Sequence, residues 1–147
     1  MTLPTHLARQ LTEEHIEFVR RTGLKAEILE PGFVRLRMPL QGNQNHIGSM
    51  YAGALFTLAE LPGGALFLTS FDTQRFYPVV KNLDLRFVKP ATGDIFVEAH
   101  LSAEQIEQLQ QQANQHGKAE FVLNLKLTNS EADLVAESCA HYQLRTR

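Results

Sequence analysis

Cysteine and tryptophan are nearly absent from this sequence, whose 147 residues include one cysteine, Cys139, and no tryptophan. A single cysteine cannot form a disulfide within the chain. No group of cysteine and histidine residues has the spacing of a zinc site. We therefore expect neither a bound metal nor another cofactor, and we expect a reducing, cytoplasmic setting.

An excess of charge of one sign is also lacking. The chain carries 14 basic and 16 acidic residues, which gives a net charge of −2, and its basic residues are scattered. Nucleic acid rewards a basic face, so we expect no nucleic-acid partner. The first ten residues lack a basic start followed by an apolar core, which is the pattern of a secretory signal.

A long uninterrupted apolar run is missing as well. The most apolar stretch, residues 47–71, contains Glu60, Pro62 and four glycines. A membrane span needs ~20 apolar residues with almost no charge, so we expect no membrane-spanning segment. The composition, with 44% hydrophobic and 20% charged residues, is typical of one globular domain, which we place at residues 1–147.

Periodicity and turn residues predict the order of the elements. We expect an N-terminal helix at about residues 12–21, capped by Thr12 and ended by Gly23. Alternation of apolar and polar residues predicts two strands, 24–28 and 34–38, around the Pro31-Gly32 turn. It predicts four more strands at 79–87, 95–101, 121–127 and 136–142. A small helical insertion at about 103–115 separates the middle pair and begins with a Ser102/Gln105 capping box.

The segment from about Met50 to Thr69, with Ser49 as its expected cap, predicts a second helix of unusual character. Apolar side chains cover nearly every direction of this helix. A helix that is apolar all round must be buried all round. In a chain this short, only a sheet that curls around the helix can bury it. The sequence therefore predicts an α+β fold in which a curved antiparallel sheet wraps around a long central helix.

One stripe on this helix suggests chemistry. Gly53, Thr57, Glu60 and Gly64 follow one another at intervals of four, three and four residues, so they share a face. Glu60 is the only charged residue between Arg37 and Asp72. An apolar environment tends to raise the pKa of a carboxyl group and makes it a candidate base or nucleophile. The alternative is that Glu60 is merely hydrogen-bonded in a wet groove or a dimer seam.

The loop before the helix adds a second polar feature. Asn45, Gly48 and Ser49 lead into the helix, whose first amides include those of Ala52 and Gly53. Free amides at a helix N-terminus can hold negative charge that develops on a carbonyl oxygen. Asn45 could orient a water molecule or a carbonyl group. The alternative is that these loop residues form only a capped turn.

Residues 45–60, NHIGSMYAGALFTLAE, resemble the signature of hot-dog-fold acyl-CoA thioesterases. The resemblance is to the branch with Asn, Gly, His-Gly-Gly and a following acid, which includes enzymes of the phenylacetic-acid-degradation type, and it covers residues 24–144. The matched positions are Asn45, Gly48, Gly53 and Glu60. The chain departs from the pattern with Tyr51 for the histidine, Ala52 for the first glycine and Val80 where the family often has serine or threonine. At the matched acid it has Glu60 where this branch usually has aspartate, and related branches use glutamate.

The resemblance implies hydrolysis of an acyl-CoA-like thioester. Glu60 would activate water or attack the carbonyl carbon, while Asn45 and the amides of Ala52 and Gly53 would bind the water and the oxyanion. Further contacts with the substrate are expected from Tyr51, Thr57, Lys81 and His46. For Lys81, a solvated residue at the sheet edge is the alternative, and His46 lacks an obvious acidic partner in the sequence.

Helix geometry adds an expectation about assembly. Ala52 and Glu60 are eight residues apart, or about 12 Å along a helix. One thioester carbonyl cannot contact both, whereas two antiparallel copies of the helix would place Glu60 of one chain near Ala52 of the other. We therefore expect a homodimer, and such dimers commonly pair again into tetramers.

Other functions fit the same fold. A hot-dog dehydratase or hydratase would need a histidine with the helix acid. A non-catalytic module that binds acyl-CoA or lipid would keep the groove without the chemistry. A structural dimer within a larger assembly is a third alternative.

Overall fold

Six strands and four α-helices make up the computed structural model, which describes residues 2–147. The helices are α1 Thr5–Gln10, α2 Glu17–Thr22, α3 Ala52–Ser70 and α4 Ala103–His116. The strands are β1 Lys25–Glu30, β2 Phe33–Met38, β3 Phe76–Phe87, β4 Ile95–His100, β5 Lys118–Thr128 and β6 Leu134–Thr146. They form one antiparallel sheet in the order β1-β2-β4-β5-β6-β3.

The sheet wraps around α3, as the sequence predicts. Apolar side chains from every strand and from α3 form one core. Within residues 2–147, α3 is the one helix that is long and apolar enough to cross a membrane, but 67% of its apolar window is buried inside the fold. The apolar character of α3 is therefore that of a core helix, and the predicted α+β hot-dog architecture is confirmed.

One face of α3 remains uncovered within the chain. Residues at intervals of four are exposed or only half-buried, namely Ala52, Phe56, Glu60, Gly64 and Leu68. Within the predicted stripe, Gly53, Glu60 and Gly64 are half-buried, whereas Thr57 is buried, with 8% of its surface exposed. A spacing of four slightly exceeds the ~3.6 residues of a helical turn, so the uncovered face winds slowly around α3, whereas alternating intervals of three and four stay on one side of the helix.

The start of α3 differs from the prediction. The helix begins at Ala52, and Tyr51 is its N-cap residue without a side-chain hydrogen bond. The Met50 amide instead donates to the Ala91 carbonyl at 2.8 Å, which keeps this residue out of the helix. The predicted Ser49 cap is therefore wrong, because a tertiary contact delays the helix by two residues.

The N-terminal helix also differs from the predicted span of 12–21. Helical structure begins at Thr5, passes through a π-helical turn at Leu11–His15 and resumes in α2 after an extended Ile16. Thr12 is no cap, since its buried hydroxyl donates to the Ala8 carbonyl at 2.8 Å. The end at Gly23 is as predicted, with a left-handed φ of 76°.

A bulge in the edge strand β3 changes which residues face α3. The pairing of β3 with β6 shifts between Val80 and Asn82, so that Val80 lies opposite Tyr142 and Leu83 lies opposite Ala140. Residues opposite each other on paired strands share a face. Val80 and Leu83 therefore both face α3, and the predicted alternation of Val79 with Leu83 is wrong because the extra residue, Lys81, resets the period.

The predicted small insertion corresponds to α4, at residues 103–116. Ser102 and Gln105 form the predicted capping box, and Gly117 ends the helix with a φ of 80°. The β4 and β5 strands pair only through Phe96 with Thr128 and Val97 with Leu127. The buried side chains of Leu109 and Ala113 anchor α4 against the fold where these strands separate.

Close packing of β6 on α3 predicts a difference between two adjacent glycines. A Cβ atom at Gly63 would overlap the ring of Tyr142, whereas one at Gly64 would meet no atom of the chain within 4 Å. Gly63→Ala should lower the free energy of unfolding by about 1–3 kcal/mol. Gly64→Ala should maintain it or raise it by up to ~1 kcal/mol, because alanine favours a helix. Denaturant titration measures both, and equal losses would contradict the packing contact.

Candidate active site

The N-terminus of α3 offers two backbone donors. The amides of Ala54 and Leu55 donate to the Tyr51 carbonyl at 3.0 and 3.2 Å. Within residues 2–147, the amides of Ala52 and Gly53 donate no hydrogen bond. Unpaired amides at a helix N-terminus favour negative charge, because the helix dipole adds to their own. This end of α3 can therefore hold an oxyanion.

The loop before α3 is organised by Asn45. Its Oδ1 atom accepts hydrogen bonds from the amides of Ile47 at 2.9 Å and Ser49 at 3.2 Å. Its Nδ2 atom donates to the Ser49 hydroxyl at 3.0 Å. A side-chain amide has two N–H donors, so one remains for a ligand. Asn45 thus holds the loop in the capped turn that the sequence suggested as the alternative. Its predicted role in orienting a water molecule or a carbonyl group stays a prediction.

Two substitutions at this position should separate the two roles. Asn45→Ala removes all three side-chain hydrogen bonds and should lower the melting temperature by several degrees. Asn45→Asp keeps an acceptor for the two amides but supplies no N–H. We expect the aspartate variant to regain most of the lost stability and to remain slow in kcat. Calorimetry and turnover per folded molecule measure the two effects. Full activity of the aspartate variant would show that Asn45 only stabilises the turn and has no role in turnover.

Glu60 is the acidic residue of α3. It lies half-buried on the uncovered face of α3, and no hydrogen bond or ion pair reaches its carboxylate from residues 2–147. Burial raises its pKa above the ordinary value, because the charged form loses solvation. A carboxylate with a raised pKa and no partner is suited to accept a proton.

A tyrosine that the sequence analysis did not select lies beside Glu60. The Tyr142 hydroxyl donates to the main-chain carbonyl of Glu60 at 2.8 Å. Burial, and then the negative charge of Glu60, raise the pKa of Tyr142, so its hydroxyl stays protonated. The sequence indicates only that Tyr142 lies on the inward face of its strand. It cannot indicate that the side chain reaches Glu60, because the two residues are 82 positions apart in the chain. Tyr142 supplies a hydroxyl in a region where Val80 has none.

The four residues predicted to contact the substrate do not form one cluster at the α3 N-terminus. The exposed ring of Tyr51 lies over Gly53, where a Cβ atom would come within 2.6 Å of Tyr51 Cε2. Thr57 is buried, and its hydroxyl donates to the Gly53 carbonyl at 2.8 Å, so that donor is already used within the helix. His46 is exposed in the loop, and Lys81 is exposed at the β3 bulge.

Two grooves of about 340 Å³ each flank the α3 N-terminus. The first, which we call the α2 groove, lies between α2 and the start of α3, and Gly53 forms part of its wall. The second, the β3 groove, is lined by Ala52 and by residues that follow β3. A larger hollow of about 420 Å³ on the sheet has no wall from α3. Among the described residues, no group of three His, Cys, Asp or Glu could hold a metal ion.

A curved antiparallel sheet around a central helix, with amides and an acid on that helix, defines the hot-dog class of thioesterase-like proteins. The resemblance seen in residues 45–60 is thereby confirmed at the level of the class. The chain belongs to the family described as a domain of unknown function, DUF4442, whose model matches residues 6–143. No curated protein matches the chain.

Solved structures agree with this placement. A Pseudomonas aeruginosa protein, named as a protein of unknown function and probable thioesterase, is 68% identical with a TM-score of 0.95, and the match covers 100% of this chain and 99% of that chain. A Chlorobaculum tepidum protein of unknown function is 18% identical with a TM-score of 0.81, covering 97% and 94%. A Haemophilus influenzae thioesterase is 14% identical with a TM-score of 0.75, covering 99% and 93%. The last two show the fold alone.

Proposed function

We propose that the protein hydrolyses acyl-CoA thioesters. The observation that carries the proposal is the half-buried, unpaired carboxylate of Glu60 on the uncovered face of the helix whose N-terminus leaves two amides unpaired. A general base and an oxyanion site are the two parts that thioester hydrolysis requires. The name of the Pseudomonas aeruginosa relative supports the same reaction class.

In this mechanism Glu60 takes a proton from a water molecule as the water oxygen attacks the thioester carbonyl carbon. The amides of Ala52 and Gly53 stabilise the negative charge on the carbonyl oxygen. Collapse of the tetrahedral intermediate breaks the carbon–sulfur bond, and the proton held by Glu60 passes to the departing coenzyme A thiolate. The products are the free acid and coenzyme A. Direct attack by the Glu60 carboxylate, followed by hydrolysis of the anhydride, is the variant of this route.

The proposed site needs two chains, because Ala52 and Glu60 lie eight residues apart on one helix. The uncovered face of α3 exposes Phe56, and the neighbouring edge strand β3 exposes Val80 and Phe87. A second copy would cover these apolar side chains and extend the sheet. We therefore propose a homodimer with two shared sites, and two such dimers can pair into a tetramer. Light scattering at micromolar concentration tests this, and a pure monomer would contradict it.

A panel of acyl-CoA substrates with a thiol-trapping reagent tests the function itself. Release of coenzyme A at a rate proportional to enzyme concentration is the expected result. Binding of acyl-CoA in calorimetry without any release would favour the non-catalytic binding module. Val80 supports the non-catalytic binding module, because it lies opposite Tyr142 at the position where the thioesterases often have a serine or threonine hydroxyl. A dehydratase has less support, since His46 is exposed in a loop and no acidic residue among residues 2–147 pairs with it.

A further inference from the structure

The α2 groove has an unusual combination of walls. Phe18 is 58% exposed and Tyr51 is 60% exposed, and both line the groove together with Arg21. Exposed apolar side chains that gather around one groove are typical of ligand-binding sites. No hydrogen bond or ion pair reaches Arg21 from residues 2–147, whereas its neighbour Arg20 pairs with Glu17 at 3.1 Å. The groove thus has apolar walls and one cation without a counter-ion.

The groove is built before any ligand arrives. Asn43 Nδ2 donates to the carbonyls of Thr22 and Pro39 at 2.8 Å each, which ties the end of α2 to the loop before α3. The Glu13 carboxylate accepts a hydrogen bond from the Ala26 amide at 2.8 Å, which holds the helical segment against β1. Walls held in this way reduce the entropy that a ligand must lose on binding.

Position decides which part of a thioester the groove can take. Gly53 lies in its wall, and the Gly53 amide is one of the two proposed oxyanion donors. Whatever occupies the groove must therefore lie close to the reacting carbonyl. The phosphates of coenzyme A are separated from that carbonyl by the whole pantetheine arm. The pantetheine arm also begins at that carbonyl, but it is uncharged and offers no anion to Arg21 in the groove wall. The acyl group is therefore the occupant that the groove favours.

Charge decides which acyl group fits. The cation near the opposite groove, Lys89, already pairs with Asp133 at 3.1 Å, so the β3 groove offers no unpaired cation to an anion. Arg21 does, and a guanidinium binds a carboxylate through two parallel hydrogen bonds. The rings of Phe18 and Tyr51 provide apolar walls for the methylene groups between the two ends of such a substrate.

We infer that the α2 groove binds the acyl group of the thioester and that this acyl group ends in a carboxylate held by Arg21, so that the preferred substrate is a monothioester of a dicarboxylic acid. The inference rests on the proposed thioesterase function. It makes Arg21 the determinant of specificity, with Phe18 and Tyr51 as the walls that enclose the chain of the substrate.

Two coenzyme A thioesters of equal chain length test the inference. Glutaryl-CoA ends in a carboxylate, and valeryl-CoA ends in a methyl group. We expect kcat/KM to be ~10–100-fold higher for glutaryl-CoA, the scale of a charged hydrogen bond. Arg21→Gln should abolish this ratio. The matched control is Arg20→Gln, which removes the adjacent arginine of the same helix and should retain the wild-type ratio.

Binding measurements keep the test independent of turnover. Non-hydrolysable thioether analogues of the two thioesters should show the same preference in Kd, again lost in Arg21→Gln. Equal kcat/KM and equal Kd for the pair would overturn the inference while leaving hydrolysis in place. A uniform loss for both compounds in Arg21→Gln would also overturn it, since Arg21 would then hold coenzyme A. If the protein showed no turnover but kept the preference in Kd, the thioesterase proposal would be refuted. The inference that the groove binds an acyl group ending in a carboxylate would still be supported.

Discussion

Glu60→Gln should lower kcat by at least ~100-fold while the protein stays folded. Glutamine has nearly the same shape as glutamate but cannot accept a proton at neutral pH. The carboxylate has no partner within residues 2–147 whose loss would disturb the fold. Steady-state turnover with the best thioester of the panel measures the effect, and circular dichroism checks the fold. Wild-type turnover in a folded variant would make Glu60 a structural residue and favour the binding module.

The same substitution has an expected signature in stability. Burial raises the pKa of Glu60 above its ordinary value of 4.5, so the folded protein holds this proton at pH values where the unfolded chain has released it. The contribution of Glu60 to the free energy of unfolding is therefore fully present below pH 4.5 and is lost as the pH rises through the raised pKa of the folded state. Glu60→Gln should remove this pH dependence of stability, because glutamine does not ionise, and should raise the melting temperature at neutral pH. Activity of the wild type should rise over the same range, as Glu60 ionises.

Ala52→Pro should lower kcat by ~100–1,000-fold with little change in stability, because it removes one proposed oxyanion donor and little else. Ala52 is the first residue of α3, a position at which proline is favoured. The preceding Tyr51 has φ −61° and ψ 141°, which is the conformation that a residue before proline prefers. The Ala52 amide donates no hydrogen bond within the described chain, so none is lost.

Ala52→Ser is the matched control, since it changes the side chain but keeps the amide donor and should retain activity. Transition-state stabilisation predicts that the proline variant loses kcat more than it loses affinity for a thioether analogue. A proline variant with unchanged kcat would show that Ala52 is no oxyanion donor.

Mixed dimers test whether the site is shared. Chains with Ala52→Pro and chains with Glu60→Gln are each expected to be nearly inactive. A heterodimer of the two would contain one of its two sites with both residues intact and should have about half of the wild-type activity. Random exchange of an equal mixture makes about half of the dimers heterodimers, so mixing should restore roughly a quarter of the wild-type activity. No recovery after confirmed exchange of subunits would mean that the two residues do not act across a dimer interface.

The architecture follows from signals that are local in the sequence. A helix apolar in every direction can be stable in water only inside other structure, which led to a sheet wrapped around α3. The Ser102/Gln105 capping box and Gly117 set the ends of α4, because those bonds join residues close in the chain. Glu60 could be selected in advance, since an isolated acid in an apolar helix is visible without any tertiary information.

Tertiary structure alone decided the surroundings of that acid and the shape of the grooves. Met50 pairs with Ala91 and delays the start of α3, and the bulge at Lys81 turns Val80 toward the helix. Tyr142 reaches Glu60 across 82 residues, and α2 brings Phe18 and Arg21 to Tyr51. Periodicity reports which face of an element is buried, but it carries no information on which distant side chain covers it. Contacts between distant residues depend on the register and packing of whole elements, which only the folded chain determines.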